Sequence, residues 1–92
     1  MLAMPTTFKK NPQTAGRIVE GQAFVVTPDD NKLHTLNSTG TYLWELAFEG
    51  VTVDSGAKAL VERFDVDLET ALKDVSECLE RFVQQQILVR DE

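Results

Sequence analysis

Histidine and cysteine, which often act as a base, a nucleophile or a metal ligand, each occur once in this chain. His34 is the single histidine and Cys78 is the single cysteine. Nucleophilic catalysis needs a nucleophile beside a base, with a further group to hold charge, and a structural zinc ion needs about four ligands. His34 falls in a predicted strand, and Cys78 falls on the apolar face of a predicted helix, where burial makes a thiol unreactive. We therefore predict no enzymatic activity, no cofactor and no metal site.

The stretch VDSGA, residues 53–57, places an Asp-Ser pair at the start of a predicted helix. This pair is similar to the segment around the serine that carries phosphopantetheine in acyl carrier proteins. Those carriers follow the serine with a bulky apolar residue, whereas Gly56 stands here, and they begin with a helix rather than strands. The favoured interpretation is that Asp54 and Ser55 support the beginning of a helix.

Length and charge exclude several classes of protein. With 92 residues the chain forms one domain, and its net charge is −6. Residues 1–36 carry four basic and three acidic residues (+1), and residues 37–92 carry five basic and twelve acidic ones (−7). The second part is not built to attract phosphate backbones. The absence of a long apolar run predicts no membrane span and no signal peptide, and the single cysteine favours a reduced, cytoplasmic protein.

The first part of the chain predicts an antiparallel meander of three strands. Gly16–Glu20, Ala23–Thr27 and Lys32–Leu36 are separated by the turn segments EGQ and TPDDN. Residues 1–15 are polar, contain two prolines and show no periodicity, so we expect a flexible N-terminal arm there and a single domain over residues 16–92.

Three helices are predicted after the strands, each with its own capping residue. Asn37, Thr52 and Asp67 are side chains that accept hydrogen bonds from the free N–H groups of a first helical turn. The helices are expected from Asn37 to about Gly50, over Val53–Arg63, and over Leu68–Gln85. Their apolar residues recur at helical spacing. The listed apolar positions are Leu36, Gly40, Leu43, Trp44 and Ala47; Val53, Ala57, Leu60, Val61 and Phe64; and Leu68, Ala71, Leu72, Val75, Cys78, Leu79, Phe82 and Val83.

Segregated strands and helices predict an α+β domain that is winged-helix-like, with a three-stranded antiparallel sheet followed by three helices. Gly40 is expected where α-helical and sheet backbones approach closely, and Ile87–Val89 is expected as a last strand or an extended tail. A small sheet has two edges with unpaired backbone groups, which suit addition of a peptide as an extra strand. Alternatively, residues 1–15 or a second copy of the chain would cover an edge, and the latter would make a homodimer.

The alternative function is that of a winged-helix protein that regulates genes by binding nucleic acid. Such a protein needs basic residues on its recognition helix. The third predicted helix carries Lys73 and Arg81 in its exposed part against four acidic residues, Glu69, Asp74, Glu77 and Glu80. This balance argues against binding to nucleic acid.

The segment LNSTGTYLWEL, residues 36–46, resembles the L-N-x-T-G/A-x-x-I/L-W-x-L signature of the PqqD family, named for pyrroloquinoline quinone (PQQ) biosynthesis. The FEG turn and the FDVD junction that follow resemble the same family, over about residues 16–88. The resemblance implies a RiPP recognition element, a non-catalytic peptide chaperone. Such a chaperone binds the leader of a ribosomally made precursor peptide and presents it to a modifying enzyme, often a radical S-adenosylmethionine (SAM) protein.

The resemblance also implies where the leader lies. In the family it runs antiparallel along the third strand of the sheet, in the groove between that strand and the third helix. In this sequence the matching candidates are Lys32, Leu33, His34 and Thr35 from the strand, and Ala71, Val75 and Cys78 from the helix.

Two positions depart from the family's pattern. Gln86 stands where a glycine often ends the third helix, so we expect that helix end to differ. TPDDNKLH replaces the A-P-E-R turn typical of PQQ pathways, which favours a different peptide-modification pathway.

Overall fold

The computed structural model describes residues 6–91, which form an α+β domain. A three-stranded antiparallel sheet in the order β2-β3-β4 and three helices are present, as the sequence predicts. A second, two-stranded antiparallel sheet pairs the first strand with the last. The elements in chain order are β1 Thr7–Lys10, β2 Ala15–Val19, β3 Gln22–Thr27, β4 Lys32–Thr35, α1 Ser38–Leu46, α2 Val53–Arg63, α3 Leu68–Gln84 and β5 Leu88–Asp91.

The three-stranded sheet packs one face on the helices. Strands β2 and β3 are joined by Glu20 and Gly21, whose φ angles of 53° and 80° are those of the two-residue turn that suits a twisted hairpin. In β3, Ala23 and Val25 point inward and are 0% exposed, while the residues between them face the other way. The strict alternation of a strand therefore defines an inner face and an outer face of the sheet.

All three predicted helix caps are confirmed. The Asn37 side chain accepts a hydrogen bond from the Gly40 N–H at 2.8 Å. Thr52 and Ser55 bond each other's backbone N–H groups reciprocally, at 2.9 and 3.0 Å, which is a capping box. Asp67 accepts from the Thr70 N–H at 3.4 Å.

The interior is built around Trp44, which is 2% exposed, and around the facing sides of α2 and α3. Gly56 allows those two helices to approach closely, because a Cβ atom there would lie 3.0 Å from the Val75 Cγ1. Gly40 has a similar function, but the expected partner is wrong. An added Cβ would lie 3.1 Å from the Asn37 Oδ1 and 3.2 Å from the Phe82 ring of α3, so the close neighbours are side chains rather than the sheet backbone.

The sequence assigned no regular element to residues 1–15, and the structure differs there. Strand β1 pairs with β5, and Phe8 exchanges backbone hydrogen bonds of 2.7 and 2.9 Å with Val51. Phe8 is 3% exposed and belongs to the core. Its pairing partners lie far away in the sequence, so local periodicity could not reveal this strand. Residues 1–5 lie outside the described residues, and the division of the chain at residue 15 remains a prediction.

The end of α3 forms despite the missing glycine. Gln86 adopts a φ of 65°, in the left-handed region. The Gln86 N–H donates to the Val83 carbonyl at 3.0 Å, and the Ile87 N–H donates to the Phe82 carbonyl at 2.9 Å. This is the Schellman arrangement that glycine usually supplies. The expectation that the helix end would differ is therefore wrong, because the helix adopts this ending in spite of the strain.

Two residues of the predicted apolar stripes face outward. Val61 is 38% exposed and Leu68 is 46% exposed. Leu68 is the first residue of α3. Ile87–Val89 was expected as a last strand or an extended tail, and a last strand forms from Leu88 onward.

No helix within residues 6–91 is long and apolar enough to cross a bilayer.

Candidate functional site

Strand β4 lies at an edge of the three-stranded sheet and, among the described residues, pairs only with β3. The Leu36 N–H donates to the Ala23 carbonyl at 2.9 Å, just past the end of the strand. Because backbone groups alternate sides along a strand, His34 also directs its N–H and C=O toward β3. Leu33 and Thr35 consequently direct theirs outward. The strand offers two sets of donors and acceptors, two residues apart, to an incoming extended peptide.

The side chains of β4 divide between the two faces of the sheet. His34 lies opposite Val25 and therefore on the inner face, while Leu33 lies opposite Val26 on the outer face. Leu33 is 62% exposed and is the most exposed large apolar side chain of the described residues. Lys32 and Thr35 are also exposed. A peptide along this edge would meet mainly backbone, with the Leu33 side chain beside it.

His34 takes part in the hydrogen bonds that hold the β3–β4 turn. The Thr27 hydroxyl donates to Asp30 Oδ1 at 2.5 Å, and the His34 Nε2 lies 3.2 Å from the same hydroxyl oxygen. Because the hydroxyl proton is engaged with Asp30, the Thr27 oxygen can accept from His34 in the tautomer that has its proton on Nε2. The Thr27 hydrogen bond lowers the pKa of Asp30. His34 therefore supports the turn instead of standing free as a base.

A groove runs between the end of β4, the beginning of α1 and one side of α3. It holds two adjoining cavities of about 190 Å³ and about 240 Å³, which we call the strand-side cavity and the helix-side cavity. Both are bordered by Asn37, Gly40 and Arg81. The strand-side cavity is completed by Thr35, Leu36, Phe82 and Gln85, and the helix-side cavity by Thr39, Asp74, Glu77 and Cys78.

The wall that α3 contributes is charged along its length. Asp74 and Glu77 border only the helix-side cavity, whereas Arg81 borders both. Cys78 lies between these charges and is 7% exposed. Burial raises the pKa of its thiol, against a smaller opposing effect of Arg81, so Cys78 is a neutral wall residue rather than a nucleophile.

The predicted groove residues are only partly brought together. Thr35 and Cys78 border the cavities, while Lys32, Leu33 and His34 belong to the strand beside them. Ala71 and Val75 are both 0% exposed, and Val75 packs toward Gly56 of α2. Those two side chains do not line a surface in this structure.

Sequence reasoning overlooked Arg81, Gln85 and Asn37 as groove residues. The signal was present on α3, because Asp74, Cys78 and Arg81 recur at helical spacing along one side. What the sequence lacks is the information that the end of β4, far away in the chain, faces that side.

The opposite edge of the sheet, at β2, also has a cavity. Its volume is about 490 Å³, which exceeds that of either cavity beside β4, and its apolar wall includes Ile18, Trp44 and Phe48. The Trp44 Nε1 is buried without a hydrogen-bond partner. The sheet thus has the two edges that the sequence predicted, and the cavity beside the β2 edge was not predicted.

Two further features bear on chemistry: the Ser55 hydroxyl and the placement of metal-ligating side chains. The Ser55 hydroxyl is engaged in the capping box of α2, which accounts for the Asp-Ser pair as the start of a helix. Within residues 6–91 no three metal-ligating side chains are grouped closely enough to hold an ion.

Comparison with known proteins agrees with this architecture. The solved structure described as TbiB1 in complex with the TbiA(beta) leader peptide matches with a TM-score of 0.80 at 18% sequence identity, covering 87% of this chain and 93% of that one. At this identity the likeness shows the fold. The comparison with curated protein sequences gives no match. The family model described as coenzyme PQQ synthesis protein D matches residues 22–88, which include β4, α1 and α3. The chain therefore belongs to the PqqD family.

Proposed function

We propose that this protein binds the leader segment of a ribosomally made precursor peptide by strand addition at β4 and presents the peptide to a modifying enzyme. The observation that carries the proposal is the unpaired edge of β4, where Leu33 and Thr35 direct their backbone groups outward beside the groove. Membership of the PqqD family supports it, as does the fold shared with a protein solved in complex with a leader peptide.

The proposed role is binding without catalysis. Main-chain hydrogen bonds along β4 supply affinity, and the groove beside α3 supplies selectivity. The partner enzyme is proposed to be a radical SAM protein, as the family resemblance suggests, acting in the cytoplasm. The turn TPDDNKLH favours a pathway that modifies a peptide other than the PQQ precursor.

Nucleic-acid binding is not favoured by the surface of α3. Among the described residues, Glu80 is engaged with Arg90, while Asp74 and Glu77 border the groove. A phosphate backbone approaching this helix would meet several carboxylates at close range. Retention on a DNA column that falls with salt would revive this alternative.

The test uses peptides displayed from a random 12-residue library, because the precursor is unidentified. We expect enriched peptides to bind the wild-type chain and to perturb the amide signals of Leu33 and Thr35 in NMR spectra. Leu33→Pro and Thr35→Pro each remove an outward N–H without removing a hydrogen bond to β3, and they should weaken binding. Ile18→Pro is the matched control at the β2 edge.

Three outcomes separate the hypotheses. Weaker binding to the β4 variants, with the Ile18→Pro variant unchanged, supports strand addition at β4. The reverse pattern would assign the peptide to β2 and its larger cavity. Unchanged affinity in all folded variants would refute strand addition. A pull-down from the native host that recovers a short ribosomal peptide together with a radical enzyme would identify the pathway.

A further inference from the structure

Arg81 is a cation without a carboxylate partner among the described residues. In contrast, Lys9 lies 2.9 Å from Asp91, and Arg63 stacks 4.9 Å from the Tyr42 ring centre. Arg81 interacts with the Cys78 thiol one turn earlier on the same helix, which leaves its charge unneutralised. Arg81 is exposed and stands on the wall that the two cavities of the groove share. Its guanidinium carries five N–H donors in a fixed fork that suits a carboxylate.

The strand-side cavity has a single charged lining residue, and that residue is Arg81. The other polar residues that line it, Thr35, Asn37 and Gln85, are neutral. The acidic residues Asp74 and Glu77 border the helix-side cavity alone. A ligand group in the strand-side cavity therefore meets net positive charge, although the chain as a whole carries −6.

We propose that Arg81 selects peptides with an acidic side chain at one defined position of the bound strand. This inference rests on the proposed strand addition at β4 and specifies the class of leader that the groove takes. A glutamate or aspartate side chain entering the strand-side cavity would accept hydrogen bonds from the Arg81 guanidinium, and such charge-assisted bonds are the strong ones.

The register of an added strand specifies the position of the acidic residue. Residues directly opposite each other share a face, and Thr35 faces outward with its register partner Phe24. The peptide residue that exchanges hydrogen bonds with Thr35 thus points to the outer face. Its N-terminal neighbour lies opposite Leu36 in an antiparallel arrangement and points to the helix side. The acidic residue is therefore the one immediately before the residue paired with Thr35.

The experiment repeats the random 12-residue library selection on the wild type, Arg81→Glu and Lys73→Glu. Lys73 is an exposed cation on the same helix that lines neither cavity, so Lys73→Glu makes the same change in net charge outside the groove. We expect Asp or Glu to be enriched at one aligned position on the wild type and on Lys73→Glu. On Arg81→Glu, Lys or Arg should replace them. The best wild-type peptide should lose about tenfold in affinity on Arg81→Glu, and a Glu-to-Lys change in that peptide should restore it.

The outcomes distinguish this inference from the proposed function. Peptides whose binding is weakened by Leu33→Pro but which show no acidic position would overturn the role of Arg81 and leave strand addition standing. An acidic preference that persists on Arg81→Glu, or that is lost on Lys73→Glu, would also overturn it. If no enriched peptide responds to Leu33→Pro, both proposals fail together.

Discussion

The strained helix end at Gln86 offers a sharp test of the structure. Gln86 holds a φ of 65°, a conformation that glycine adopts without a Cβ clash. Its side chain is exposed, and the hydrogen bonds of the segment are made by backbone atoms, including the Gln86 carbonyl that accepts from the Asn11 side chain at 2.8 Å. Gln86→Gly should therefore remove strain without removing a contact, and it should raise the free energy of unfolding.

The magnitude follows from two opposing effects. Relief of the left-handed strain contributes about 1–2 kcal/mol, and the greater freedom of glycine in the unfolded chain costs about 0.5–1 kcal/mol. A net gain of about 0.5–1 kcal/mol corresponds to a rise in Tm of about 2–8 °C for a domain of this size. Urea unfolding followed by Trp44 fluorescence measures it, since that indole is 2% exposed in the fold.

A matched control is available two residues earlier. Gln84 is the last residue of α3 and is also exposed, but it has no positive φ. Gln84→Gly should lower stability by up to about 1 kcal/mol, because glycine disfavours helix. If Gln86→Gly destabilised the protein as much as Gln84→Gly, the left-handed ending of α3 would be refuted.

Three further changes test the capping, packing and pairing of the chain. The Thr70 hydrogen bonds lower the pKa of Asp67 below its ordinary value of 3.8. The stability that the carboxylate contributes is therefore present above that value and is lost as pH falls below it. Asp67→Asn should remove this part of the acid dependence in urea titrations. Gly56→Ala should cost about 1–3 kcal/mol in chemical unfolding, because the new methyl group meets Val75 at 3.0 Å. Phe8→Ala should cost about 3–5 kcal/mol in thermal unfolding, since the ring is 3% exposed.

Each of these expectations has a result that contradicts it. An acid dependence that is the same with asparagine at position 67 would show that the Asp67 cap does not titrate as described. A stability gain in Gly56→Ala would mean that α2 and α3 are not in close contact there. A loss below about 1 kcal/mol in Phe8→Ala would indicate that β1 lies outside the cooperative core.

The parts of the fold that were predicted from sequence are those whose causes are local. Asn37, Thr52 and Asp67 each cap a helix through atoms three residues away. The Glu20-Gly21 turn likewise depends on neighbouring residues. Strand β1 was missed because its partners, Val51 and β5, are distant in the chain. The apolar stripe of α3 indicated which side is buried, but not which residues would be too deeply buried to meet a ligand.

The amino-acid sequence by itself determined the class of this protein: the strand and helix periods, the caps and the PqqD-like segment around Trp44 follow from residue types at short spacing. Only the tertiary structure decided the arrangement of the candidate site. It buried Ala71 and Val75, engaged His34 in a turn, and placed Arg81 across a groove from Thr35. The physical reason is distance along the chain. Packing of α3 against α2 and the beginning of α1 sets which side chains face the β4 edge, and no local pattern records that arrangement.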